Sequence, residues 1–124
     1  MKKSFLAWLL LFALVLLPLS ACKTNKAYPE YTVTDNDALG CVELHCDGIT
    51  YRPYGVFPTK DFQGDQIGIR QGDPDSKIYQ VKGYETSEWI IEYLDVIMGG
   101  HMIFKSTTVT EIPAELKAYQ SYDY

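Results

Sequence analysis

Apolar and polar residues alternate in short runs through most of the chain, and clusters of turn-forming residues separate these runs. Alternation with a period of two is typical of strands that bury one face. The pattern predicts extended segments at residues 66–70, 77–84 and 109–113. Turn formers predict a loop at residues 53–65 and a turn at residues 71–76.

The strongest local signal is the dipeptide Asp47-Gly48, which separates two alternating runs. Both central residues of a type I′ turn need positive φ, and this dipeptide tolerates it. A two-residue turn fixes the register of the flanking strands, and both faces of the predicted hairpin are then consistent. The apolar face pairs Cys46 with Ile49, Leu44 with Tyr51 and Val42 with Pro53, and the polar face pairs His45 with Thr50 and Glu43 with Arg52.

Residues 85–98 allow two interpretations. Thr86 and Ser87 are placed to cap a helix, and apolar residues from Trp89 onwards recur at helical spacing. However, residues 89–93 are dominated by β-branched and aromatic types, and Gly99-Gly100 precedes a second run, 101–105, as in a hairpin. We therefore favour a strand.

Together these segments predict an all-β protein. Five to seven short strands, joined by local turns, are expected to form a small antiparallel barrel or curled sheet. At most one short helix is expected, at residues 114–117, where a polar, tyrosine-rich tail 114–124 begins. The predicted β domain occupies residues 37–113.

The first residues follow a different pattern. Lys2 and Lys3 precede a continuous apolar run that Pro18 and two small residues end. This is the three-part form of an export signal, and the run is shorter than the roughly 20 residues that a spanning helix needs. We assign residues 1–21 to a signal peptide.

Leu19-Ser20-Ala21-Cys22 resembles the lipobox of bacterial lipoproteins, with Leu19 at the branched apolar position and Ala21 at the small one. The resemblance implies cleavage before Cys22 and a lipid on its thiol, which would anchor the chain to the extracytoplasmic face of the cell membrane. Residues 22–36 would then be a flexible tether, and residues 31–33 at its end could form a short edge strand. Stretches 49–55, 64–69, 79–84 and 109–113 resemble, in order and spacing, small lipoproteins of Gram-positive bacteria, a resemblance that implies no activity.

Charge and length narrow the choice of partner. Removal of residues 1–21 leaves 103 residues, enough for one domain. It also changes the formal charge from −5 to −7, because the removed segment contains two lysines and no acid. An acidic surface repels phosphate backbones, so we expect no nucleic acid partner.

The mature sequence contains no catalytic triad order, phosphate-binding glycine loop or Cys-x-x-Cys pair, so we expect neither catalytic residues nor a cofactor. Cys41, His45 and Cys46 are possible soft metal ligands. In the predicted hairpin, however, His45 and Cys46 face opposite ways, so we expect no metal site. A disulfide between Cys41 and Cys46 is disfavoured, since one extended strand would hold them about 16 Å apart. Residues 35–40 are interpreted as a turn, because the glutamate of a calcium loop is missing.

All ten tyrosines follow the predicted cleavage point. We favour core packing for them, and the alternative is an exposed binding patch formed by Tyr51, Tyr54 and Tyr84. The leading functional hypothesis is a membrane-anchored binding module whose partner is an envelope protein or a cell-wall glycan. The alternatives are a hydrolase or metal-dependent envelope enzyme and a purely structural envelope protein.

Overall fold

The computed structural model describes residues 27–94 and 100–124. Within this part of the chain, seven strands and one short helix follow one another. They are β1 (Glu30–Asn36), β2 (Cys41–Cys46), β3 (Ile49–Phe57), β4 (Gln63–Arg70), β5 (Asp73–Val81), β6 (Trp89–Leu94), β7 (Gly100–Ser106) and α1 (Ala114–Lys117). None of the helices in these described ranges has the length and apolar character needed to cross a membrane.

The strands form a closed barrel in the order β1-β2-β3-β7-β6-β5-β4, so the predicted all-β barrel is confirmed. All neighbouring strands are antiparallel except β1 and β4, whose short parallel pairing closes the sheet. Gly68 permits this closure, because a Cβ there would lie 2.5 Å from the Tyr31 ring and 2.8 Å from the Pro29 carbonyl oxygen. The sequence predicted a wholly antiparallel barrel, and the observed barrel differs from this prediction by the parallel pairing of β1 with β4, which we call the seam.

The hairpin formed by β2 and β3 has the predicted turn and register. Asp47 and Gly48 have φ values of 52° and 76°, both in the left-handed region. The two strands pair at three of the five predicted positions, and the predicted pairs of Glu43 with Arg52 and of Val42 with Pro53 lie beyond them. The observed pairs are Cys46 with Ile49, His45 with Thr50 and Leu44 with Tyr51.

The strand interpretation of residues 85–98 is confirmed for β6, and residues 95–98 lie outside the described part of the chain. Leu94 pairs with Gly100 and Tyr93 with His101, as expected of a hairpin. Two predicted connections were too long, because β3 continues to Phe57 and β5 already begins at Asp73. Residues 109–113 form no strand, although Val109 and Ile112 pack against the barrel.

The folded barrel extends beyond the predicted β domain, residues 37–113, at both ends. The supposed tether 22–36 contains β1, which pairs with β2 along five positions and buries Tyr31. The short helix predicted at residues 114–117 is confirmed as α1. However, the supposed tail packs on the barrel, since Leu116 is fully buried and the amides of Ser121 and Tyr122 donate to the Tyr54 carbonyl.

Strand alternation divides the apolar residues into two clusters, one inside the barrel and one outside it. On β6, Ile90 belongs to the inner cluster, and Trp89 and Ile91 belong to the outer one. The closing segment, residues 114–124, contributes Leu116 and Tyr119 to the outer cluster. Both clusters and all the described strands lie within residues 27–124, so a fragment with these limits contains the closed sheet and its core.

Candidate functional site

The barrel contains a cavity of about 330 Å³ at the end where β2 and β7 begin, which we call the mouth. The mouth lies beyond the inner cluster, with which it shares the side chains of Met102 and Phe104. Most of its lining is apolar, and only two charged side chains reach it, Arg70 from β4 and Glu92 from β6, as far as the described residues show. Mouths of β-barrels are frequent sites of small-molecule binding.

Glu92 is the deeper of the two charged residues. Its side chain is 2% exposed, and the Ser76 hydroxyl donates to its carboxylate at 3.2 Å. The Arg70 Nε lies 3.4 Å from the same carboxylate oxygen. Burial raises the pKa of the Glu92 carboxyl and Asp73 adds to the rise, whereas Arg70 and Ser76 favour the charged form. The mouth thus holds a carboxylate that burial makes easier to protonate.

Arg70 is the more accessible partner, with 27% of its side chain exposed. Its Nε atom is buried without a hydrogen-bond partner in the described part of the chain. A guanidinium offers five N–H donors in a planar fork, a geometry that matches carboxylates. The ion pair with Glu92 therefore leaves N–H donors of the Arg70 guanidinium available at the wall of the cavity.

Two tyrosines of the closing segment form part of the rim. The rings of Tyr122 and Tyr124 are stacked, with centroids 5.7 Å apart and an interplanar angle of 13°. Backbone hydrogen bonds from Ser121 and Tyr122 to the Tyr54 carbonyl position them. Both rings also line a second cavity of about 140 Å³ beside Pro53. The closing segment therefore shapes the entrance to the mouth.

A second polar cluster lies on the outer face of β2, and its side chains form hydrogen bonds with one another. Arg52 Nε donates to the Glu43 carboxylate at 2.7 Å, as the predicted cross-strand pair requires. This hydrogen bond is the main reason why the pKa of Glu43 is lowered. The His45 ring contacts the Thr34 hydroxyl at 2.6 Å and the Thr50 hydroxyl at 3.0 Å. We interpret this cluster as structural.

The predicted patch of Tyr51, Tyr54 and Tyr84 does not exist as an exposed surface. Tyr51 and Tyr54 are each 2% exposed and belong to the inner and the outer cluster respectively. Their odd spacing along β3 directs the two rings to opposite faces of the sheet. Tyr84 packs against the outer cluster, and its hydroxyl donates to the Glu115 carboxylate. Core packing, the favoured interpretation, is what Tyr51 and Tyr54 show.

The remaining sequence candidates give no second site. Cys41 and Cys46 are free thiols at opposite ends of β2. In residues 27–94 and 100–124, no group of three or more His, Cys, Asp or Glu residues is placed to hold a metal ion. Cys22, the predicted lipidation site, lies outside the described residues.

The pair of Arg70 and Glu92 was missed at the sequence level. Glu92 is the single acid within the apolar run of β6, and this position indicates a paired, buried charge, because a buried strand rarely contains an unpaired one. No sequence signal identifies Arg70 as its partner, since that contact spans the barrel. No family model, curated protein or solved structure matches this chain.

Proposed function

We propose that this protein is a binding module, held by lipid on Cys22 at the extracytoplasmic face of the membrane, whose ligand enters the mouth of the barrel. The observation that carries the proposal is the mouth itself, an apolar cavity with one buried pair of opposite charges. A few polar groups within an apolar lining are typical of small-molecule sites.

Binding is favoured over catalysis by the chemistry of the lining. Cys41 is among the residues that line the mouth, but burial and the nearby Glu43 carboxylate raise the pKa of its thiol and keep it protonated. Among the described residues that line the cavity, no histidine stands beside a nucleophile to activate it. The charged pair is therefore better suited to orient a ligand than to attack one.

The position of β1 limits how far an anchor at Cys22 would lie from the barrel. β1 begins near the Asp47-Gly48 turn and runs toward the mouth, since Thr32 pairs with His45 and Asn36 with Cys41. The eight residues from Cys22 to Glu30 span at most about 28 Å. An anchor at Cys22 thus holds the barrel close to the bilayer.

The anchor is tested by metabolic labelling with palmitate. We expect the label to enter the wild-type protein and to be lost from Cys22→Ser, because the thiol is the acceptor. Cys46→Ser is the matched control and should be labelled like the wild type. Equal labelling of Cys22→Ser and the wild type would contradict the anchor.

Ligand entry is tested by NMR titration of fragment 27–124 with a panel of small acids, amines, alcohols and sugars. We expect at least one probe to shift the signals of Met102 and Phe104, and Leu94→Trp to abolish the shift because an indole fills the mouth. Leu39→Trp is the control, since Leu39 is 41% exposed and lies outside the lining. A panel without any effect on the mouth, or an unchanged response in Leu94→Trp, would count against the proposal.

A further inference from the structure

We propose that the ligand of the mouth is a small amphipathic monocarboxylate, with its carboxylate bound by Arg70 and its apolar chain packed on Met102 and Phe104. This inference rests on the proposed function and names the ligand class. It follows from which charge an entering molecule can reach, from the lining of the cavity and from the charges around it.

The accessible charge in the mouth is positive. Glu92 is 2% exposed and is contacted by both Ser76 and Arg70, whereas 27% of the Arg70 side chain is exposed. In the described part of the chain, the ion pair with Glu92 is the polar contact of the Arg70 guanidinium, and its Nε has no hydrogen-bond partner. An entering anion can therefore use the guanidinium, and an entering cation finds the carboxylate covered.

Arg52 provides a comparison, because its Nε makes a short hydrogen bond in the same barrel. Its Nε donates to Glu43 at 2.7 Å on the outer face of the sheet. The corresponding distance from Arg70 to Glu92 is 3.4 Å, and no hydrogen bond is formed. Charge-assisted hydrogen bonds of an arginine fork are normally shorter than about 3 Å. Arg70 is thus the arginine with capacity for a further acceptor.

The apolar lining of the cavity favours a ligand that has an apolar body. Val42, Leu94, Met102 and Phe104 present hydrocarbon or thioether surface to the cavity. Its volume of about 330 Å³ lies at the lower end of the range of roughly 300–1,000 Å³ for small-molecule sites. A short alkyl chain or a single ring fits such a space better than a sugar with many hydroxyl groups.

A single negative charge suits the mouth better than a phosphate. Glu92 lies beside Arg70, and Asp73 is close enough to raise the pKa of Glu92, so further negative charge is repelled. A planar carboxylate also matches the guanidinium fork in a bidentate manner. Glu92 competes with the ligand for Arg70, and neutralising Glu92 should therefore strengthen binding.

The test compares octanoate, octanol and octylamine, which share one chain length and differ in the head group. Each is titrated into fragment 27–124, below the concentration at which it forms micelles, and the Met102 methyl signal is followed. We expect octanoate to bind most tightly. Glu92→Gln should bind octanoate about tenfold more tightly, because the nearest competing charge is removed.

Arg70→Gln alone would leave Glu92 buried without its partner and endanger folding. The double variant Arg70→Gln with Glu92→Gln removes both charges and avoids this problem. Relative to Glu92→Gln, we expect the double variant to bind octanoate about ten- to hundredfold more weakly, as the loss of a charge-assisted hydrogen bond implies. The double variant Arg52→Gln with Glu43→Gln is the matched control, because it removes the corresponding ion pair on the outer face, and it should bind octanoate like the wild type.

The possible failures are distinguishable. Tighter binding of octanol or octylamine at the mouth, or equal affinity of the double variant and Glu92→Gln for octanoate, would overturn the carboxylate assignment and leave a binding module. Absence of any shift at Met102 with all three compounds would overturn the carboxylate assignment. If the wider panel also failed, the proposed function would fall with it.

Discussion

Replacing Tyr54 with phenylalanine tests how firmly the closing segment is attached to the barrel. The Tyr54 hydroxyl donates to the Leu116 carbonyl at 2.9 Å, and both residues are buried. The ring also makes an edge contact with Trp89, with centroids 5.0 Å apart. A phenylalanine keeps this packing, so the substitution removes one hydrogen bond and little else.

The expected magnitude follows from what remains at the acceptor. A neutral hydrogen bond contributes about 0.5–1.5 kcal/mol net, and a buried group left without a partner costs about 1–3 kcal/mol. The Leu116 carbonyl keeps the Tyr119 amide as a donor, at 3.1 Å, and is not orphaned. We therefore expect the free energy of unfolding to fall by about 1 kcal/mol.

Urea unfolding followed by circular dichroism measures this change. With a slope of about 1–2 kcal/mol per molar, the midpoint should fall by roughly 0.5–1 M. Tyr84→Phe is the matched control, because that hydroxyl bonds to the exposed Glu115 carboxylate, and we expect a change within about 0.5 kcal/mol. Equal midpoints for Tyr54→Phe and the wild type would refute the role assigned to the buried hydroxyl.

Two further substitutions test the seam and the charged pair. Gly68→Ala should lower the free energy of unfolding by about 1–3 kcal/mol, because the new methyl group meets Tyr31, whereas Gly100→Ala, with no atom within 4 Å of its Cβ position, should be nearly neutral in the same urea assay. Burial raises the pKa of Glu92 in the folded state. The stability that protonation of Glu92 contributes is therefore fully present below its ordinary pKa of 4.5 and is lost as the pH rises through its folded-state pKa. The unfolding free energy of the wild type minus that of Glu92→Gln should therefore decrease as the pH rises above 4.5, and a constant difference would contradict the assigned burial.

The parts of the fold that the sequence predicts well depend on neighbours in the chain. Asp47-Gly48 sets a turn whose register propagates along both flanking strands, so three pairs of the hairpin were predicted correctly. The strand β6 was predicted from its β-branched and aromatic residues, although its apolar spacing also fitted a helix. In both cases the decisive chemistry lies within a few residues.

The parts that sequence reasoning missed depend on closure of the barrel. The sequence of β1 predicts a polar tether with at most a short edge strand, because its outward residues are hydrophilic. Only the pairing of β1 with β2 and β4 shows that Tyr31 is a core residue. The seam brings Arg70 to the same level as Tyr31, a contact between strands distant in the chain. The charged pair of the mouth is a consequence of this closure, and no local pattern encodes it.

The most direct test of a ligand site in the mouth is a set of intermolecular NOEs between octanoate and fragment 27–124, measured with the Glu92→Gln variant. We expect NOEs from the octanoate methylene protons to the methyl group of Met102 and the ring of Phe104, both of which line the cavity. NOEs confined to exposed side chains such as Leu39, or none to the protein, would contradict the proposed site.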